Sequence, residues 1–100
     1  MAELTVVYWR DIPAQVIVKA GRKTAKRQLA DRFQEAVDRA AMQAKAADTD
    51  SYLADWRRGE PGSCGGDLDT EADAAVARIE ADYDDDRLNR LILAGGRENA

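Results

Sequence analysis

Two runs rich in β-branched and aromatic side chains lie close together at the N-terminus, with a proline between them. Residues 4–10 and residues 15–20 have the composition of strands that fit a pleated surface. Pro13 fixes its own φ and favours extended geometry in the residue before it, so the chain is expected to reverse within residues 11–14. These features predict an antiparallel β-hairpin, which constrains what the rest of the chain can form.

The predicted hairpin carries apolar side chains on both faces, because successive residues of a strand point to opposite sides. The apolar residues are Val6, Tyr8, Val16 and Val18 on one face and Val7, Trp9 and Ile17 on the other. A lone hairpin is marginal in water, so helices, a further strand or another chain must cover it. Gly21 permits a turn, after which residues 22–28 form either a third strand or the first turn of a helix.

Apolar residues recur at spacings of three and four after the hairpin and predict a first helix from about Ala30 to near Lys45. Asp48 is a candidate N-cap for a short second helix, which Gly59 would end. Trp56 is expected to pack this helix onto the sheet. The helical part of the fold therefore begins directly after the strands.

Residues 59–66 combine four glycines with one proline, which is too costly in backbone entropy for a regular element and predicts a surface loop. Thr70 with Asp73 resembles a capping box, and it predicts the start of a third helix. A bend is expected near residues 84–86, where three aspartates interrupt the apolar pattern. Gly95 and Gly96 are expected to end this helix.

The predicted elements give an α+β fold, with a small antiparallel N-terminal β-hairpin or three-stranded sheet packed against three helices. A chain of 100 residues has room for one core, so residues 1–100 are interpreted as a single domain. The hydrophobic fraction of 45% and the charged fraction of 34% are typical of a globular chain. Residues 97–100 are expected to fray.

The composition removes most familiar catalytic designs. The absence of histidine excludes Ser-His-Asp and Cys-His nucleophile pairs and histidine metal sites. The single cysteine, Cys64, cannot form an internal disulfide and is interpreted as an incidental, exposed residue of the loop. We therefore expect no enzyme activity, no cofactor and no metal. The N-terminal residues show neither a secretory signal nor an apolar span, so a cytoplasmic protein without membrane contact is expected.

Charge is distributed unevenly along the chain. Residues 1–45 hold nine Lys and Arg against five Asp and Glu, whereas residues 60–100 hold four against eleven. The strongest basic group is Lys19, Arg22, Lys23, Lys26 and Arg27. Within it, Arg22, Lys23, Lys26 and Arg27 are the candidate anion-binding residues, suited to a phosphate or a polyglutamate tail on a small ligand.

Other interpretations of this basic group stay open. An acidic patch on a partner protein, or the chain's own acidic helix, would suit it better than a polyanion, because the acidic C-terminal half would repel nucleic acid. The group could also be a charged strand edge that prevents unwanted pairing with other chains. Nucleic acid is thus the least favoured partner.

Trp9, Arg10 and Asp11 are the candidate partner-binding residues, since aromatic residues and arginine are common anchors of interfaces. The alternative is that Trp9 belongs to the core and that Arg10 pairs with Asp11 or with an acidic residue of a helix. The sequence favours neither interpretation.

Several of these segments resemble the small bacterial virulence factor family, whose domain also occurs within conserved virulence factor C proteins. The resemblance lies in residues 7–16, in residues 21–23 and 32–36, and around Tyr52, Leu53 and Trp56-Arg57, and it extends over about residues 4–93. The glycine-rich loop, about residues 59–67, and the tail resemble the variable parts of this family. The resemblance implies no reaction, cofactor or catalytic residue. It does imply associations with other domains and processes. Larger relatives join the domain to an iron–sulfur scaffold-like domain, and some free-standing relatives are associated with folate- and corrinoid-linked methyl transfer.

These observations favour a non-enzymatic accessory module of bacterial metabolism that uses the hairpin edge and the basic segment to bind a protein. The expected partner is a larger metabolic enzyme or a second copy of the chain. The alternative is an accessory protein for a small anionic ligand or a one-carbon carrier such as a folate or corrinoid. Nucleic-acid binding comes third.

Overall fold

Five strands and four helices make up the parts of the chain that the computed structural model describes, which are residues 2–45, 49–65 and 67–97. In chain order the elements are β1 (Ala2–Trp9), β2 (Ile12–Ala20), β3 (Lys23–Gln28), α1 (Asp31–Gln43), α2 (Thr49–Ala54), β4 (Trp56–Arg58), β5 (Gly62–Cys64), α3 (Leu68–Asp82) and α4 (Asp85–Leu93). The predicted α+β class, with a mainly N-terminal antiparallel sheet against helices, is confirmed.

The sheet has the strand order β3-β2-β1-β4, and β5 also pairs with β1. Residues 2–4 of β1 pair with β5 and residues 7–9 pair with β4, so two three-residue strands share the outer edge of β1. On the opposite side β3 pairs with β2 along its whole length. The open question of residues 22–28 is thus answered in favour of a strand from Lys23 onward.

A turn of Arg10 and Asp11 joins β1 to β2, and Arg10 adopts a left-handed conformation with φ 54°. The reversal expected within residues 11–14 comes earlier than predicted, because Pro13 lies inside β2. The pairing register shifts between Val7 and Tyr8, and Tyr8 is the residue paired with Pro13. A proline has no N–H to donate, so an irregular position of the ladder tolerates it.

One face of the sheet supports the core. Val16 and Val18 of β2 and Ala25 of β3 are buried on this face. Helix α3 packs across β2 and β3 and contributes the buried residues Ala72 and Ala75. These small side chains let the helix approach the sheet closely, and the burial of apolar surface stabilises the contact.

Helices α1 and α4 pack together and form the second part of the core. The buried side chains at this contact include Ala36 of α1 and Leu88 of α4. Arg32 fixes α1 to the end of α3, because its guanidinium donates hydrogen bonds to the carbonyl oxygens of Glu80 and Tyr83. The core therefore runs continuously from the sheet to the C-terminal helix.

The middle of the chain differs from the prediction. The second helix ends at Ala54 rather than near Gly59, and Trp56–Arg58 forms β4. The glycine-rich segment contains β5 and is not a loop throughout. Both strands exist because they pair with β1, a non-local contact that local composition does not reveal. The N-cap predicted at Asp48 lies outside the described residues.

Asp67, rather than the predicted Thr70, is the N-cap of α3. The Asp67 carboxylate accepts a hydrogen bond from the Thr70 N–H at 3.2 Å, and the helix begins two residues before Thr70. The capping box of Thr70 with Asp73 is therefore wrong. The hydrogen bond from the Thr70 backbone favours the charged carboxylate and lowers the pKa of Asp67.

The bend expected near residues 84–86 is confirmed as a break between two helices. Asp84 caps α4, since its carboxylate accepts a hydrogen bond from the Arg87 N–H at 2.8 Å. Gly95 and Gly96 follow the end of α4 with φ 69° and 92°, as the prediction of a glycine stop requires. Residues 98–100 of the predicted frayed tail lie outside the described residues.

Candidate functional site

Up to the register shift between Val7 and Tyr8, the second face of the sheet, which we call the open face, consists of three rows of residues across the strands. Directly opposite residues of antiparallel strands share a face, so the pairing register assigns each row. The rows are Ser63, Glu3, Lys19 and Thr24, then Thr5, Ile17 and Lys26, and finally Arg58, Val7, Gln15 and Gln28.

The open face combines a small apolar centre with a basic surround. Val7 and Ile17 are half-buried, whereas the cations Lys19, Lys26 and Arg58 are exposed and one acid shares the face with them. An apolar centre inside a polar rim is the usual arrangement of a protein interface. The excess of positive charge is notable in a chain of net charge −4, and it favours an acidic counterpart.

A cleft of about 220 Å³ continues the open face toward the start of α1. Its lining includes Gln15 and Gln28 of the third row, Gln34 of α1 and the half-buried Trp56. The Trp56 ring meets the Tyr52 ring edge-on, with 5.9 Å between the centroids. Amide groups around an indole ring can hydrogen-bond and pack against a partner's side chain, so the cleft extends the open face as a binding surface.

Strand β3 is a free edge of the sheet within the described ranges, because it pairs there with β2 alone. Its six residues include Lys23, Lys26 and Arg27. Lysine at an edge disfavours pairing with a neutral or basic strand and is compatible with an acidic one. Lys26 belongs to both the edge and the open face, which therefore form one continuous basic surface.

Arg27, one of the four predicted anion-binding residues, is engaged by the chain's own acidic helix. Its guanidinium donates hydrogen bonds to Asp69 at 2.8 Å and to Asp73 at 3.0 Å, both on α3. These two hydrogen bonds raise the pKa of Arg27, with the bond to Asp69 the larger cause. The sequence left open that the chain's own acidic helix pairs with the basic group. The structure shows this pairing for Arg27.

The other three members of that set do not converge either. Lys23 pairs with Ala20 and Lys26 with Ile17, so the two lysines point to opposite faces of the sheet. Arg22 lies exposed in the turn before β3. The structure therefore does not bring Arg22, Lys23, Lys26 and Arg27 together on one face, because the strand period of two separates neighbours that are close in sequence. Anion binding by individual members of this set stays a prediction.

Trp9, predicted to contact a partner, is fully buried, with 0% of its surface exposed. Its indole N–H donates a hydrogen bond to the Tyr52 carbonyl at 2.8 Å, and the two rings stack with 5.9 Å between centroids. The alternative interpretation of Trp9 as a core residue is the one that the structure shows. Its ring supports the end of the hairpin from inside and is not available to another chain.

Arg10 joins three separate segments at the hairpin tip. Its Nε donates to the Asp55 carboxylate at 3.0 Å, and its Nη1 donates to the Gly95 carbonyl at 2.7 Å. The guanidinium also lies over the Trp9 ring, 4.8 Å from the centroid. Since Asp55 follows α2 and Gly95 follows α4, this side chain connects the sheet to both helices.

Asp11 is the member of the predicted partner set that remains partly accessible. Its carboxylate lies 3.3 Å from the Arg57 guanidinium, and the two side chains are 34% and 50% exposed. Arg57 also donates to the Arg10 carbonyl at 2.9 Å and lies over the Tyr8 ring. A role of the hairpin tip in partner binding stays a prediction, with Asp11 and Arg57 as the side chains that a partner could touch.

Cys64 lies on β5 opposite Ala2 and is half-buried against the core, so the expectation of an exposed loop cysteine is corrected. Across the described residues, no group of three or more His, Cys, Asp or Glu is arranged to hold a metal ion. In the same ranges, no helix has the length and apolar character needed to cross a membrane.

Sequence reasoning missed Arg58 and the cleft beside Trp56. The alternation of Gln15, Ile17 and Lys19 along β2 was sufficient to place these three residues on one face. Arg58 gave no such signal, because β4 becomes a strand only through its pairing with β1. A short strand of this kind cannot be distinguished from the end of a helix by local pattern.

Together, the fold and the open face define a small α+β domain with one helix-covered and one accessible sheet face. A family model described as virulence factor matches residues 7–92. The chain therefore belongs to the virulence factor family, as the resemblance of its segments indicated. The matched range includes Val7, Ile17, Lys19, Lys26 and Arg58 of the open face. No curated protein and no solved structure matches the chain in the corresponding searches.

Proposed function

We propose that this chain is a non-enzymatic interaction module that binds an acidic surface of a partner protein through the open face. The observation that carries the proposal is the combination of exposed Lys19, Lys26 and Arg58 with half-buried Val7 and Ile17 on one sheet face. The cations would steer and orient the partner, and the apolar centre would supply buried area. No residue is assigned a catalytic role.

A partner of different sequence suits this surface better than a second copy of the chain. In a two-fold dimer each face meets itself, so the excess of cations on the open face of one copy would face the same excess on the other. Like charges in such contact cost several kcal/mol. Contact between the open face and the acidic helices of another copy would be heterologous, and such contacts make rings or open chains rather than simple dimers.

The free edge of β3 offers a second component of the same contact. An extended acidic segment could add to this edge as a further strand, with main-chain hydrogen bonds providing affinity. Its side chains would then meet Lys26 at the edge of the open face. The expected partner is a larger metabolic enzyme of the cytoplasm that presents an acidic strand or loop.

The proposal is tested with the double variant Lys19→Glu/Lys26→Glu. Tagged wild-type protein is used for affinity capture from its own cells at low and moderate salt, and any stoichiometric partner is then purified and titrated. We expect the wild-type affinity to fall with salt, and we expect the variant to bind at least about tenfold more weakly, since each reversal replaces attraction with repulsion.

The matched control is Arg39→Glu/Arg78→Glu, which makes the same change in net charge at exposed residues of α1 and α3. It should retain the wild-type affinity. Equal losses in the two double variants would show that net charge, rather than the open face, governs binding. A wild-type protein that captures no stoichiometric partner at either salt concentration would contradict the function itself.

A further inference from the structure

A cavity of about 360 Å³ lies along the last two turns of α4, away from the open face. The described residues that line it are Arg87, Arg90, Leu91, Ala94 and Arg97. The first four recur at spacings of three and four and so share one face of the helix, and Arg97 joins them after the glycine turn. Three guanidinium groups therefore border a single concave space.

The arginines of this cavity are held in different ways. Arg87 donates to the Asp82 carbonyl at 3.3 Å and lies over the Tyr83 ring, 3.9 Å from the centroid, which fixes its orientation. Arg97 lies 3.7 Å from Asp55, a carboxylate whose shorter contact is with Arg10. The Arg90 side chain is exposed and has no hydrogen bond or ion pair with another described residue.

This concentration of cations runs against the charge of its surroundings. The C-terminal part of the chain, residues 60–100, holds eleven acidic residues and four basic ones, and three of those four line the cavity. Guanidinium groups that converge in this way repel one another unless an anion lies among them. Two carbonyl groups that follow α4, those of Gly95 and Gly96, accept hydrogen bonds from the Arg10 guanidinium and the Asp11 N–H, which weakens the negative potential at this helix end.

We propose that this cavity binds the phosphate group of a small phosphorylated metabolite, with Arg87, Arg90 and Arg97 as the ligands of the phosphate oxygens. The planar fork of arginine matches the oxygens of carboxylate and phosphate in pairs, and three such forks suit the three terminal oxygens of a phosphate better than the two oxygens of one carboxylate. The volume lies at the lower end of the range for small-molecule sites. Leu91, which is 2% exposed, and Ala94 provide an apolar floor for the carbon part of the ligand.

The test is calorimetric titration of the full chain with inorganic phosphate and with pyrophosphate at low ionic strength. Saturable binding is expected for both anions, with pyrophosphate the tighter because it carries more charge. Arg90→Gln should weaken pyrophosphate binding about tenfold, the effect of losing one charge-assisted hydrogen bond. Arg90 is exposed, so this variant is expected to keep the fold, which circular dichroism verifies.

Arg78→Gln is the matched control, because it removes the same charge from an exposed position of α3 outside the cavity. This variant should bind pyrophosphate as the wild type does. The proposal is overturned if neither anion gives saturable binding up to about 10 mM, a concentration that detects even millimolar dissociation constants. It is equally overturned if Arg78→Gln weakens binding as much as Arg90→Gln, since the anions would then respond to overall charge.

Discussion

Arg10 has a backbone conformation that an L-residue adopts at a cost, and its side chain explains why the position is nevertheless filled by arginine. A glycine would accept φ 54° without strain but would lose the contacts to Asp55, Gly95 and Trp9. The backbone N–H of Arg10 also donates to the Asp55 carbonyl at 3.1 Å. These contacts hold the local strain at the tip in place.

Arg10→Ala should lower the free energy of unfolding by about 2 kcal/mol, since it leaves the partly buried carbonyl of Gly95 and the carboxylate of Asp55 without their main donor. Arg57→Ala, a change at the half-exposed arginine of the same tip, should cost less than about 1 kcal/mol. Chemical denaturation measures both values. Equal losses in the two variants would contradict the assignment of Arg10 as the central contact.

At the scale of elements, the sequence predicts what depends on local pattern and misses what depends on distant pairing. The hairpin, the first helix and the glycine stop after α4 follow from composition and periodicity, and each is present. Strands β4 and β5 have three residues each, too few for a recognisable period, and they form because β1 offers them a backbone edge.

The same limit applies to the candidate site. Sequence patterns placed Lys26 in the basic group but could not show that the strand would send Lys23 to the other face. The aromatic and arginine content of the hairpin tip suggested a surface, whereas tertiary packing buries Trp9. The residue types predict which chemical groups a segment carries. Tertiary packing decides which of those groups are exposed.

The end of α4 packs closely against the hairpin at Gly96. A Cβ atom at Gly96 would lie 2.8 Å from Cζ3 of the buried Trp9, whereas a Cβ atom at Gly21 would meet nothing within 4 Å. Both glycines have left-handed φ angles, 92° and 60°. A side chain at either position therefore meets the cost of a left-handed backbone. Only a side chain at position 96 would also clash with a neighbouring residue.

Gly21→Ala should lower the free energy of unfolding by about 1 kcal/mol, the cost of the left-handed conformation alone. Gly96→Ala should lower it by about 2 kcal/mol more, because the added methyl group displaces Trp9 or the end of α4. Thermal unfolding followed by circular dichroism compares the two. Similar melting temperatures would show that the junction can open without disturbing the core.

At the scale of the whole molecule, the strands of the sheet carry six cations and one acid, whereas α3 carries five acids and one cation. Arg27 bridges the two regions through Asp69 and Asp73, so part of the asymmetry is neutralised within the chain. The open face keeps its excess of cations. A chain arranged in this way is expected to attract acidic proteins and to repel its own open face.

We therefore expect the isolated chain to be a monomer, with a light-scattering mass near 11.0 kDa at both low and moderate salt. The reason is that pairing of two open faces is repulsive, and salt merely weakens that repulsion. Larger oligomers at low salt that dissociate as salt is added would indicate attraction between the open face and the acidic helices of another copy. That result would contradict the preference for a different partner.

The two tryptophans lie opposite each other in the pairing of β1 with β4, yet their surroundings differ sharply. Trp9 is sealed in the core, and Trp56 is half-buried at the cleft that borders the open face. The chain thus contains a pair of intrinsic fluorophores, one reporting on the integrity of the fold and the other on whatever docks beside it. Replacement of either by phenylalanine would separate the two optical signals without any attached dye.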